Sequence, residues 1–222
     1  MKIISHTTKN PDKRKYLIDR IRRIDPDAEI IFVEPDDNPA DKIAGAEILL
    51  TYTLKNQWLE QAQALRWVHI GGAGLNHIPL GELAAKNTTV TNSRGIHRRA
   101  MAEYTLGAIL HFSQRIDLAW KYRIHRDWRG AKVPITETSF TLKDKRLGIL
   151  GAGAIGSAIG EMCNRFEMEI YALNRNWKDF PWASRSGDIS RLDELLGWSD
   201  FLVITLPLTE ETRGMIGSRE LS

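Results

Sequence analysis

Cysteine is nearly absent from this sequence. Cys163 stands alone among 222 residues, so no internal disulfide can form and no CxxC pair exists to hold zinc. That usage fits a reducing compartment, and the chain is expected to be cytoplasmic. Long hydrophobic runs are lacking too. The uncharged, glycine-rich run from Gly148 to Gly160 falls well short of the ~20 residues that span a bilayer. The N-terminus, MKIISHTTKN, turns polar at Ser5 and His6 before a signal-type apolar region develops. No membrane partner and no export are expected. Charge of one sign is also missing. Lys plus Arg number 31 against 28 Asp plus Glu, a formal charge of +3, which lacks the one-sided basicity of a nucleic-acid binder, so no nucleic-acid partner is expected. With 17 Gly and 8 Pro, collagen-like and disordered classes drop out as well.

What is present alternates short β-rich runs with helical patterns, the signature of α/β folds with parallel sheets. The strand candidates of the first part are Lys2 to Ser5, Glu29 to Val33, Glu47 to Thr51, Trp67 to Ile70 and Thr89 to Thr91. Between the first two, Leu17, Ile21 and Ile24 recur at helical spacing, bracketed by Pro11 and Pro26. The cations on that helix are interrupted by Asp12, Asp19 and Asp25, so it presents a solvated face of mixed sign. From Ala100 to about Tyr122 a proline-free pattern with Leu106, Ile109, Leu110 and Ile116 predicts one long linking helix. The segment from His125 to Lys143 loses apolar periodicity and contains Gly130 and Pro134, which predicts an exposed arm. The expected division is residues 1–96 as one domain and 97–222 as linking helix, arm and part of a second.

The chemistry is carried by LGILGAGAIGSAIGEMCNRF, where the apolar run Leu147 to Leu150 meets Gly151, Gly153 and Gly156 in GxGxxG spacing. A strand precedes the glycines, and a helix with Ile155, Ile159, Met162 and Phe166 on one face follows, then a second strand at Glu169 to Leu173. The physics of a dinucleotide site asks for that order. Gly151 permits the tight turn, Gly153 lets a pyrophosphate approach the backbone, and Gly156 lets helix and strand pack closely. The helix N-terminal N–H groups from Ala154 and Ile155 onward then face the anion.

An acidic residue at the end of the second strand ordinarily accepts the ribose 2′-OH of NAD. Asn174 is there instead, followed by Arg175 and Lys178. This predicts NADP as cofactor, with NAD as second choice; the same cations also fit a solvated surface, and Arg can stack on adenine in an NAD site. Further on, Gly187 to Ile189 predicts a short strand and LDELL a helix. Asp200 to Leu206 predicts a buried parallel strand closed by Pro207. In a doubly wound sheet of order 3-2-1-4 this run is strand four, and its following loop, Pro207 to Thr212, overhangs the cofactor crevice.

Four segments together resemble the D-isomer-specific 2-hydroxyacid dehydrogenase family: WVHIGGAGLNHI (67–78), VTNSRGIHRRAMAEYTLGAIL (90–110), KRLGILGAGAIG (145–156) and LDELLGWSDFLVITLPLTEETRGMIG (192–217). The NRNWK run at 174–178 is similar to the NADPH-preferring glyoxylate and hydroxypyruvate reductases of that family. The resemblance implies a flavodoxin-like substrate-side domain and a partial doubly wound NAD(P)-binding domain, both Rossmann-like. It implies that the backbone of Gly72, Ala73 and Gly74 grips the carboxylate of a small 2-oxo or 2-hydroxy acid. It also implies that Met101 sits against the nicotinamide, that Leu206, Pro207 and Thr212 border the cofactor, and that residues 100–143 form a homodimer. The family's catalytic Arg, Glu and His come after the LPLTEET segment, so no catalytic residue is expected within this sequence, and the family's C-terminal third is expected to be absent from it. His69, His77 and His97 are expected to be structural or solvated, and the seven Trp packing residues. Asn76 replaces an Asp common in the family. The reading is therefore a hydride-transferring oxidoreductase; the alternative is a non-catalytic nucleotide-binding or dimerisation module of the same descent. A methyltransferase fits the glycine spacing less well.

Overall fold

The short apolar runs of the N-terminal part become five parallel strands: β1 (Lys2–His6), β2 (Glu29–Phe32), β3 (Ile48–Thr51), β4 (Trp67–Ile70) and β5 (Thr89–Asn92). The computed structural model describes all 222 residues, which form two units, Met1–Arg94 and Gly95–Ser222. In the first, the strand order is β2-β1-β3-β4-β5, the flavodoxin-like winding. Alternation along β1 sends Ile4 into one apolar cluster with Leu49, Val68 and Ile70, and Ile3 into another with Ala28 and Ile48. Both faces of the sheet are thus covered, as a parallel sheet requires. Helices α1 (Pro11–Arg22), α2 (Ala40–Ile43), α3 (Asn56–Gln61) and α4 (Leu80–Ala85) provide the crossovers. Helix α1 ends before Ile24, which is 85% exposed rather than part of the apolar stripe that its spacing predicts.

The second unit begins with α5 (Arg98–Ser113), α6 (Ile116–Ile124) and α7 (Trp128–Thr138). Two expectations are corrected here. The single long helix breaks at Arg115, which adopts φ 52°. That left-handed residue is anchored by its guanidinium, which donates to both Asp117 carboxylate oxygens at 3.1 and 2.9 Å and to Thr138 Oγ1 at 3.0 Å. The expected arm is instead largely helical. Asp127 caps α7 by accepting the Gly130 N–H at 2.8 Å, and Ala131 is fully buried, so a cap and one docked residue anchor the helix, which continues through Pro134.

The second sheet has β6 (Arg146–Leu150) paired with β7 (Glu169–Leu173) and with β9 (Phe201–Ile204), and β8 (Arg185–Gly187) beyond β7. Its order, β8-β7-β6-β9, is the expected 3-2-1-4. Helix α8 (Ala154–Asn164) joins β6 to β7 and packs against α5, where Ala102, Leu106 and Ile109 share a core with Ala158 and Ile159. Phe166, placed on the α8 face by its spacing, lies past the helix end and is 41% exposed. Helix α9 (Leu192–Trp198) covers the other face with Leu195. The third strand runs from Arg185 to Gly187, and Ile189 opens a 3-10 turn instead of extending it. Strand β9 is shorter than its apolar run and only partly buried, with Ile204 exposed: it has a neighbour on one side only, so its full burial is not achieved. Asp200 fixes its start, accepting the Arg146 backbone N–H at 2.9 Å and the guanidinium at 2.8 Å. That arginine holds the carboxyl down at about 2.

Candidate nucleotide-binding site

Strand β6 is central in its sheet, with β7 on one side and β9 on the other, so its carboxyl end lies where the chain winds off in two directions and a crevice opens. The three glycines at that end do three different things. Gly151 has φ +101°, and an added Cβ would stand 2.9 Å from the Thr205 carbonyl carbon and 3.0 Å from Leu206 Cδ2. Gly156 faces back on the turn: a Cβ there would lie 2.4 Å from the Gly151 oxygen and 2.9 Å from Thr205 Oγ1. At Gly153, by contrast, a Cβ would meet nothing within 4 Å. The first and third glycines close the turn against β6 and the β9 end, while the second leaves open space at the helix start.

Gly153 is also the N-cap of α8, extended at φ −82°, ψ −154°, with no side-chain cap and no acidic residue in the first turn. The leading N–H groups of a helix, here Ala154, Ile155 and Gly156, have no intrahelical acceptor, and the positive end of the helix dipole lies among them. The turn itself is rigid. Gly151 and Ala152 N–H donate to the Leu173 carbonyl at 2.9 and 3.1 Å, and Thr205 Oγ1 donates to the Gly151 carbonyl at 2.6 Å. Thr205 therefore couples the β9 end to the glycine turn, a role not legible in the sequence, where Thr205 sits inside the apolar run Asp200 to Leu206.

The residues after β7 separate. Asn174 Oδ1 accepts the Arg175 N–H at 3.0 Å, so its amide oxygen serves the local turn. Lys178 lies over the Phe180 ring at 5.7 Å, whereas Arg175 forms an ion pair with Glu211 of the loop after β9. In that loop Thr212 Oγ1 donates to the Pro207 carbonyl at 2.7 Å and accepts the Thr209 N–H at 2.9 Å, which makes it a loop-shaping residue. Leu206 reaches the Gly151 turn, and Pro207 is exposed beside it. Met101 lies exposed in the first turn of α5. Cys163 is buried on α8, its thiol pushed up to about 11 by burial, which removes it as a nucleophile at neutral pH.

In the first unit, the loop after β4 has its carbonyls engaged: Ser93 N–H donates to Gly72 at 3.1 Å and Asn92 Nδ2 to Ala73 at 2.6 Å. The N–H groups of Gly72, Ala73 and Gly74 donate to no protein acceptor. His69 meets Thr91 Oγ1 at 2.9 Å and Ser93 Oγ at 3.3 Å through its two ring nitrogens, and His77 Nε2 donates to the Tyr52 carbonyl at 2.9 Å. No three His, Cys, Asp or Glu side chains gather into a metal-binding group. No helix is long and apolar enough to cross a membrane.

Strand, three-glycine turn, uncapped helix and flanking parallel strands define a doubly wound nucleotide-binding unit. Residues 106–222 match the family described as D-isomer specific 2-hydroxyacid dehydrogenase, NAD binding domain, and the chain belongs to that family. It is 35% identical over 176 residues to a glyoxylate reductase of Aeropyrum pernix, a match covering 78% of this chain and 52% of the relative. The chain thus spans about half the length of the curated relatives it matches. Among solved structures, it is similar in fold to a D-lactate dehydrogenase of Aquifex aeolicus complexed with NAD and lactic acid (TM-score 0.81, 21% identity, all of this chain and 65% of that one). An acyclic imino acid reductase in complex with NADPH and D-Arg is likewise similar (TM-score 0.82, 18% identity, all of this chain and 70% of that one).

Proposed function

We propose that this chain binds NADP(H) at the β6–α8 turn and serves the reduction of a small 2-oxo acid. The observation that carries the reading is the division of labour among the glycines: Gly151 and Gly156 are sterically required, whereas Gly153 leaves open space before an uncapped helix. A dinucleotide pyrophosphate fits that opening, held by the N–H groups of Ala154, Ile155 and Gly156. When bound, the nicotinamide ring supplies the hydride for reduction. Met101 from α5 and Leu206 and Pro207 from the segment after β9 contribute apolar surface, and Thr212 holds that segment in shape. In the first unit, the free N–H groups of Gly72, Ala73 and Gly74 suit the carboxylate of the 2-oxo acid. The glyoxylate reductase relatives support that substrate class.

NADP is preferred over NAD in this reading because position 174 is an uncharged Asn and Arg175 follows it. Fluorescence titration of the chain with NADPH and NADH tests both parts. NADPH is expected to bind more tightly, and Arg175→Ala to weaken NADPH by about 1–3 kcal/mol while NADH barely moves. Equal affinities, or tighter NADH, would remove the preference. A homodimer through residues 100–143 belongs to the same proposal, supported by the exposed Tyr104, Phe112, Trp120 and Trp128. Light scattering over a dilution series that finds a monomer at roughly tens of micromolar would remove it.

A further inference from the structure

The Arg175–Glu211 pair has a distinctive place in the fold. Arg175 follows β7 and Glu211 lies in the loop after β9, and these are the two strands that flank β6. The pair therefore ties together the segments that follow the two flanking strands, on the side of the sheet where the glycine turn ends β6. Both side chains are open to water, at 71% and 72% exposure, so the pair adds little to folding stability and exchanges readily. Its neighbours are otherwise engaged: Lys178 lies over Phe180, and Glu210 faces Arg213 at 3.9 Å. Arg175 therefore has one acidic partner.

We infer that Glu211 sets the selectivity between phosphorylated and unphosphorylated nucleotide, as the resident counter-ion that a ribose 2′-phosphate must displace from Arg175. The inference rests on the nucleotide-binding reading above. A nucleotide with a free 2′-OH leaves the pair intact, since a hydroxyl does not compete with a carboxylate for guanidinium. A 2′-phosphate brings nearly two negative charges toward Arg175, where the Glu211 carboxylate already occupies the guanidinium and repels the newcomer. The acid thus restrains a preference that Arg175 alone would make larger.

The test is a fluorescence titration of unmodified chain, Glu211→Gln and Glu210→Gln with NADPH and with NADH. The Glu210 variant removes the same charge one residue away without touching Arg175. Glu211→Gln is expected to tighten NADPH by about three- to tenfold with NADH changed less than about twofold, and Glu210→Gln to leave the ratio as it was. Since both acids are exposed, melting temperatures should agree within about 2 °C. An unchanged or lowered NADPH-to-NADH preference in Glu211→Gln, or an equal gain in Glu210→Gln, would overturn the inference alone. Failure of the unmodified chain to bind either nucleotide would remove the binding reading and this inference with it.

Discussion

At the carboxyl end of β1, Asn10 closes helix α1 with its own side chain, accepting the Lys13 N–H at 3.0 Å, whereas at the carboxyl end of β6 the same position before α8 is Gly153, which has no side chain to offer. The two junctions are topologically alike. Each follows a strand with parallel neighbours on both sides, β2 and β3 in one unit, β7 and β9 in the other. Their helix starts differ in the side-chain cap and in the acid of the first turn. Helix α1 has Pro11 in its first turn, Asp12 beside it, and no fully buried residue; its start is satisfied from within, and its dipole is met by a carboxylate. Helix α8 has neither cap nor acid, yet buries Gly156, Ala158, Ile159, Gly160 and Cys163. It is held by packing, which frees its N-terminus from stabilising itself. A helix start left unsatisfied is tolerable where the rest of the helix is deeply docked, and that is where a phosphate can be received.

The comparison can be broken most severely at Gly156. Gly156→Val would drive side-chain atoms into the Gly151 carbonyl, so nucleotide binding should vanish and the second unit should lose about 1–3 kcal/mol, read by titration and by denaturant unfolding. Wild-type affinity in that variant would mean that the close approach of helix and turn is not needed. A smaller effect sharpens the contrast from the other side. Asn10→Ala should cost about 1 kcal/mol, visible in the unfolding of the first unit, and leave nucleotide affinity unchanged. A parallel loss of affinity would show that the two helix starts are not independent.

The alternation of elements and the glycine turn were legible because each is local. The apolar runs that become β1, β4 and β7 are short and bounded by turn residues, and Gly151, Gly153 and Gly156 announce themselves through their spacing behind a strand. The break at Arg115 was not legible, because what holds that residue left-handed includes Thr138, 23 positions away. Helix α7 was hidden by Gly130 and Pro134, although Asp127 three residues before Gly130 was a usable capping signal. Strand β9 reads as fully buried from composition, but burial depends on a neighbour that composition does not report. Within the site, Arg175 could be picked out by its position after the second strand. Its pairing with Glu211 joins residues 36 apart, and nothing in the local run TEET distinguishes Glu211 from Glu210.

The claim that α8 starts with an opening made for an anion is tested most directly by giving it the kind of closure that α1 has. Gly153 is extended and has room for a side chain, so Gly153→Asp should fold, with a carboxylate positioned to accept an N–H of the first turn. Titration with NADPH and thermal unfolding of the same sample then separate the two roles. Stability should be unchanged or higher by about a few tenths of a kcal/mol, while NADPH affinity falls on the order of 100-fold, because a negative charge fills the place of the pyrophosphate. Undiminished NADPH binding by a stably folded Gly153→Asp chain would contradict the account.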